Sequence, residues 1–382
     1  MEENPQDDLP GTHLAEKWYQ LGQKYEQAQD YAKAIEAYRL AVAVNPDYYD
    51  AWEQLGMVYL RQQEYEKAIE ALEEAVTADP EQETTWYNLG TLYEQVGDFD
   101  RAIDAYQHTI TIDLGFTEAW FNLGNAHYAL GEYPEAAEAY KQAIAIEPGM
   151  AEAWCNLGNA YEFMLNHAEA LTAYLKSVEC DPAFAEGWSN AGNMYSHFGE
   201  NEKAIEAYRT ALQIKPEKDN TWWFMGKVHA DMEQYDLAVD AVRRSLELNP
   251  DAYKAWYDLG WMYYNRGDME HAIEAHQQVL ELSPDYPESY YSLGLVYSDL
   301  NQYKKAVEMY EKAVTIVPAF FQAWFNLAYV HAGHQNREAC FNALERAVEA
   351  NPETRERAKL VSRFDQYRRE EDFKKLLDET TE

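Results

Sequence analysis

Apolar side chains fall along this chain in two alternating stripes of helical spacing. Trp18, Leu21 and Tyr25 stand at i, i+3 and i+7, one face of a helix. Ala34, Ile35, Tyr38, Ala41 and Val42 form a second stripe. A polar turn separates them, QAQDY here and VGDFD or LGEYP later. Pro46 then ends the second stripe, because proline lacks an amide hydrogen and clashes with the preceding helical turn. The pattern predicts a helix–turn–helix hairpin, and it returns. Trp18, Trp52, Trp86, Trp120, Trp154, Trp188, Trp222 and Trp256 are each 34 residues apart, and Tyr290 and Trp324 continue the series. Ten hairpins are expected over 15–354 without insertion, between an acidic extension (1–14) and a C-terminal segment (355–382).

Other places keep the same spacing. A glycine stands four residues after the tryptophan in nine hairpins, from Gly22 to Gly294, with Ala328 in the tenth. Glycine inside a helix costs about 1 kcal/mol relative to alanine, so its recurrence predicts close approach of the two helices. The recurrent alanine of the second helix, Ala34 and its equivalents, is expected opposite it. Proline closes nine hairpins, and Leu114 closes the third. This register, W-x-x-L-G-x-x-Y … A-x-x-x-Y-x-x-A … P, resembles the tetratricopeptide repeat family. The resemblance implies an all-α fold class, an α-solenoid wound as a right-handed superhelix with first helices inside. It also makes the recurrent Trp, Leu, Gly, Tyr, Ala and Pro fold residues. A solenoid end needs a cap. Two helices, Arg355 to Phe364 and Gln366 to Asp378, are expected to supply one through Leu360, Val361, Phe364, Phe373, Leu376 and Leu377.

Composition narrows the function. The charge is 31 − 68 = −37, which disfavours nucleic acid and anionic membrane surfaces, since both need clustered Lys and Arg. Three cysteines far apart make no disulfide framework. The start, MEENPQDDLPGTH, lacks the basic and apolar regions of a signal peptide, and no apolar run reaches 18 residues. A cytoplasmic protein without membrane insertion is expected. No phosphate loop, dinucleotide fingerprint or H-E-x-x-H occurs. His127, His229 and His331 stand where tyrosine is usual, and His331 with His334 is too small a set for a metal. No catalytic residue, cofactor or metal is therefore expected. Glu36, Glu70, Asp104, Glu138, Glu206, Asp240, Glu274 and Glu308 share one place on the second helices, while Glu118, Glu152 and Glu186 edge the first. The register reads as a solvated exterior. It also suits a basic partner steered by the field, or a high-salt habitat.

Partner chemistry should lie in first-helix places that do not repeat. The resemblance implies that the place after each tryptophan, and the place four further on, line the inner groove. In the middle hairpins these surroundings hold Asn88, Asn122, Asn125, Asn156, Asn159, Asn190 and Asn193. Asparagine both donates and accepts, so a row of them suits the backbone of an extended peptide. The row is similar to the asparagine ladder of nucleocytoplasmic N-acetylglucosamine transferases, whose catalytic domain has no room here. Bridging between repeats is the competing reading. Later hairpins carry Trp223, Tyr257, Trp261, Tyr264, Tyr291, Phe325 and Tyr329, expected to take an apolar anchor, with Lys227 and Lys254 placed for a carboxylate. The first hairpin has Tyr19 and Gln23 where chaperone-docking members carry a Lys–Asn clamp. The expected function is a non-enzymatic adaptor for a protein or peptide. The alternatives are a self-assembling scaffold, with homo-oligomers, or an accessory subunit of a separate enzyme in glycosyl transfer or secretion.

Overall fold

The computed structural model describes residues 10–377. Two compact units meet between Met194 and Tyr195. In the first, Pro10–Gln27 pairs with Tyr31–Val44 (α1, α2), Tyr49–Arg61 with Tyr65–Ala78 (α3, α4), and Glu83–Gln95 with Phe99–Ile112 (α5, α6). Thr117–Leu130 pairs with Tyr133–Ile146 (α7, α8) and Ala151–Phe163 with His167–Cys180 (α9, α10). The boundary lies inside α11 (Ala185–His197), which α12 (Asn201–Ile214) follows. The second unit continues with Asp219–Asp231 and Tyr235–Leu248 (α13, α14), Tyr253–Arg266 and Met269–Leu282 (α15, α16), Pro287–Asp299 and Tyr303–Ile316 (α17, α18), and Phe321–Gly333 and Arg337–Ala350 (α19, α20). The described residues contain no strand. Each unit is an all-α array of the expected hairpins.

The turn inside each hairpin has one form. The residue two before the second helix lies in the left-handed region, as glycine at Gly97, Gly131, Gly199 and Gly267 and as another residue at Gln29, Gln63, Leu165, Glu233, Asn301 and Gln335. That conformation lets the next amide reach back to the first helix: Asp30 N–H donates to Tyr25 O at 2.9 Å, and Asn166 N–H to Tyr161 O at 2.8 Å. This is the 6→1 bond of a helix C-terminus. Asp30 and Asp98 then cap the next helix by accepting from the Lys33 and Arg101 amides.

The glycine of the first helix meets a ring. A Cβ on Gly158 would lie 2.5 Å from Tyr174 Cε1, and one on Gly90 2.6 Å from Tyr106 Cε1. The expected alanine is therefore not the principal neighbour. Where the ring is replaced, by Leu72 or Val242, the next atom is the alanine carbonyl, Ala68 O at 3.3 Å or Ala238 O at 3.1 Å. The alanines are fully buried because the backbones pack closely there.

The tryptophans are half-buried rather than central. Their indoles fasten the loop between hairpins. Trp52, Trp86, Trp154, Trp188, Trp222, Trp256 and Trp324 each donate from Nε1 to the carbonyl of the closing proline six residues earlier, at 2.8–3.1 Å. Trp120 does the same to Leu114 O at 3.1 Å, so the loop keeps its shape without proline there.

The C-terminal segment departs from expectation. Thr354–Leu360 is helical (α21), Ser362–Tyr367 is a 3-10 helix, and Glu371–Leu377 is helical (α22); Asp378 lies outside the described residues. Extended backbone at Val361 breaks the first helix. The 3-10 turn that follows buries Phe364 and Tyr367, which are spaced three apart. Phe373 and Leu377 are also buried, but Leu360 is 83% exposed and contributes nothing to the cap.

Candidate functional site

The asparagines bridge hairpins. Asn125 Oδ1 accepts from Tyr140 Oη of its own hairpin at 2.8 Å and from Asn156 Nδ2 of the next at 3.0 Å. The arrangement repeats one hairpin on, where Asn159 Oδ1 accepts from Tyr174 Oη at 2.8 Å and from Asn190 Nδ2 at 3.1 Å. Tyr174 shares its proton with Glu162 at 2.9 Å, and burial raises the phenol well above its ordinary pKa. Asn122 Nδ2 donates to Tyr87 Oη at 3.1 Å, and Asn88 Nδ2 lies 3.8 Å from Met57 Sδ. Asn193 is half-buried on α11. Among the described residues, no protein acceptor stands within hydrogen-bond reach of Asn125 Nδ2 or Asn159 Nδ2.

The place after each tryptophan belongs to the junction between hairpins. An aromatic four residues before the next tryptophan packs on it: Tyr48 on Tyr19 at 5.2 Å between ring centres, Phe116 on Tyr87 at 4.9 Å, Tyr286 on Tyr257 at 5.4 Å, and Phe320 on Tyr291 at 5.1 Å. Large meets small at Trp223 and Ala252, which pack in one cluster. Hydrogen bonds reinforce the pairing. Trp223 Nε1 donates to Asp258 Oδ2 at 2.8 Å, and Asn326 Nδ2 to Tyr291 Oη at 3.1 Å. Burial raises the Asp258 carboxyl above the usual carboxylate range. Asp258, Asn326 and the loop aromatics were missed in the sequence, although their pairing by size stands in it at the same 34-residue period.

The aromatic row is thereby sorted. Trp261 is exposed at 42%, with its edge to Tyr235. Trp223, Tyr257, Tyr264, Tyr291 and Tyr329 are half-buried. Burial and a 2.6 Å bond to Asp299 push the Tyr264 phenol up to about 12. Lys227 is exposed and sits 5.3 Å above the Trp223 ring, and Lys254 is exposed on α15. Phe325 does not face a groove. It is 3% exposed, edge-on to Phe364 at 5.8 Å and beneath the Arg357 guanidinium at 4.5 Å. The C-terminal segment covers it, and Arg363 lies over Tyr329 at 5.1 Å. That segment caps not only the end of the last hairpin but also the face of α19 that was expected to bind.

The second-helix face carries the acidic register. Glu36, Glu70, Asp104, Glu138, Glu206, Asp240, Glu274 and Glu308 are all exposed. His127 and His229 serve as packing groups bonded to Glu132 at 2.6 Å and Gln234 at 2.8 Å. Among the described residues no three His, Cys, Asp or Glu side chains converge as a metal set. None of the described helices is long and apolar enough to cross a membrane.

Hairpins of one register, stacked within each unit and fastened by indoles, define an α-helical repeat protein. Models described as tetratricopeptide repeats match residues 19–83, 84–114, 151–184, 173–206 and 291–353, and a TPR repeat model matches 124–163. The TPR domain of cytochrome c-type biogenesis protein H matches 205–319. The chain belongs to the tetratricopeptide repeat family. No curated protein matches it. Among solved structures it is similar to YrrB, described as a TPR protein with an unusual peptide-binding site, at 28% identity over 49% of this chain and 96% of that one, with a TM-score of 0.45. MamA is 28% identical over 45% and 94%, with a TM-score of 0.42. The APC/C hetero-tetramer Cut9-Hcn1 is 14% identical over 95% and 96%, with a TM-score of 0.46.

Proposed function

We propose that the chain is a non-catalytic adaptor that holds an extended segment of a partner protein on its first-helix face. The observation that carries this reading is the pair of asparagine rungs. Each oxygen is occupied by two bonds within the array, which fixes the amide plane, while each nitrogen of Asn125 and Asn159 is left to donate. Donors held at a constant spacing suit backbone carbonyls and place little demand on the bound sequence. Trp261 and Lys227, five residues after their tryptophans, are the exposed groups of the same row in the second unit. They supply an apolar contact and a positive charge.

Asn125→Asp with Asn159→Asp tests the reading cleanly. The carboxylates still accept from Tyr140, Tyr174 and the next asparagines, but they cannot donate. Capture of partners from native lysate should fall while the thermal melt stays cooperative. Undiminished capture of every partner would remove the rungs from the binding site. The match of 205–319 to a biogenesis-protein domain favours one variant of this function, an accessory subunit that presents a client to a separate enzyme.

A further inference from the structure

The second-helix face of hairpins 4 and 5 departs from a pattern that hairpins 1, 2, 3, 6 and 9 keep. In those five a basic side chain of the second helix folds over the first-helix tyrosine of the same hairpin: Lys33 on Tyr25, Lys67 on Tyr59, Arg101 on Tyr93, Lys203 on Tyr195 and Lys305 on Tyr297. The same place is Glu135 in hairpin 4 and Glu169 in hairpin 5, and Tyr161 is met instead by Lys141 of the preceding hairpin at 5.7 Å. The acidic register also lapses, because Thr172 stands where Glu138 and its equivalents stand. A cleft lies between successive second helices here as it does at hairpins 2, 8 and 10, and the one between α8 and α10, about 480 Å³, has the most apolar lining of these. Trp154, Leu157 and Tyr161 form its floor, Ile144 and Thr172 stand on opposite walls, and Lys141 and Glu169 mark its rim.

A second departure sits where α9 ends, two residues beyond Tyr161. Phe163 is 58% exposed and stacks on Tyr133 at 4.7 Å, with Tyr128 edge-on to both. Leu165 is 75% exposed and holds the left-handed turn position. In the other nine hairpins that position is glycine or polar, and the place of Phe163 is nowhere else a large apolar residue. Tyr133 begins α8, the helix whose later turns make one wall of the cleft. Exposed apolar surface that a polar or glycine alternative would avoid marks an interaction site.

We propose that this surface is a docking site for an amphipathic segment of another protein, with large apolar side chains flanked by lysine or arginine. Charge complementarity selects that occupant. Glu132, Glu135 and Glu138 are exposed at the start and along the first turns of α8, Glu169 stands at the rim of the cleft, and Lys141 is the one cation among the lining residues. Apolar anchors would enter over Trp154 and Tyr161 and against Phe163, while basic flanks meet the glutamates. The site is separate from the asparagine rungs of the first-helix face, so either function can fail without the other.

A labelled leucine–lysine amphipathic peptide tests it by fluorescence anisotropy, against a serine–lysine peptide of equal charge. The first variant is Phe163→Gln with Leu165→Gly, residues found at the equivalent places in other hairpins and without effect on charge. The second is Thr172→Glu, which restores the acid usual at that register. Each variant should weaken the leucine–lysine peptide about tenfold or more, and the serine–lysine peptide should bind all three proteins weakly and alike. Attraction to the acidic surface alone predicts the opposite for Thr172→Glu, since it adds negative charge. Equal or tighter binding by that variant, or no change in the first, overturns the proposal. Sedimentation adds one further outcome. A wild-type dimer that the first variant dissolves would make a second copy the occupant and overturn the basic partner.

Discussion

At the residue scale, His276 is the most consequential substitution within the repeat pattern. It takes the place of Tyr174 and its equivalents, packs under Gly260 and beside Tyr257, and is fully buried with neither ring nitrogen bonded. Burial pulls its pKa from the ordinary 6.5 to about 4. The unfolded chain therefore binds the extra proton first on acidification. Stability is complete above pH 6.5 and is lost as pH falls towards 4, by roughly 3 kcal/mol at the limit. His276→Tyr should remove this slope, and the gap between its melting temperature and that of wild type should widen from pH 7 to pH 4. Gly158 makes the opposite point. Alanine there would gain about 1 kcal/mol of helix propensity but drive a methyl into the Tyr174 ring, which two acceptors hold in place. Overpacking costs about 1–3 kcal/mol, so Gly158→Ala should lower the denaturation midpoint.

At the element scale, the junctions between hairpins explain what the sequence disclosed and what it withheld. Hairpins, turns and the closing proline were legible because each rests on local chemistry: helical spacing, a left-handed turn, a missing amide. Bridging by the asparagines stood in the sequence only as a competing reading, and the aromatic pairs were not legible, because Tyr257 and Tyr286 meet only after two helices stack. A side chain free on an isolated helix, such as Tyr291, is claimed by the neighbouring loop. Phe325 was misread for the same reason, since the 3-10 turn that covers it has no periodic signature. Removing residues 354–377 should therefore expose Phe325 and Phe341 together. The truncated chain should bind a hydrophobic dye and melt earlier, with the loss concentrated in the last hairpins. An unchanged melt would mean that the segment does not support the array.

At the scale of the whole molecule, repeats that touch only their neighbours share stability through nearest-neighbour terms. Sixty-eight acidic against 31 basic side chains also repel one another along its length. Raising salt from about 10 mM to 150 mM shortens the screening length from about 30 Å to 8 Å and should raise the melting temperature. A melt indifferent to salt would show that the carboxylates are spaced too widely to matter. The series of indoles has one gap inside the array, at Tyr290. Its loop has the same closing residue, Pro284, but no ring nitrogen to hold it, and it relies on Tyr286 lodged against Tyr253 and Tyr257. Strain applied along the second unit should part it there first, with the amide of Tyr286 exchanging its hydrogen early. Tyr290→Trp would supply the absent latch, worth about 1 kcal/mol, and slow that exchange.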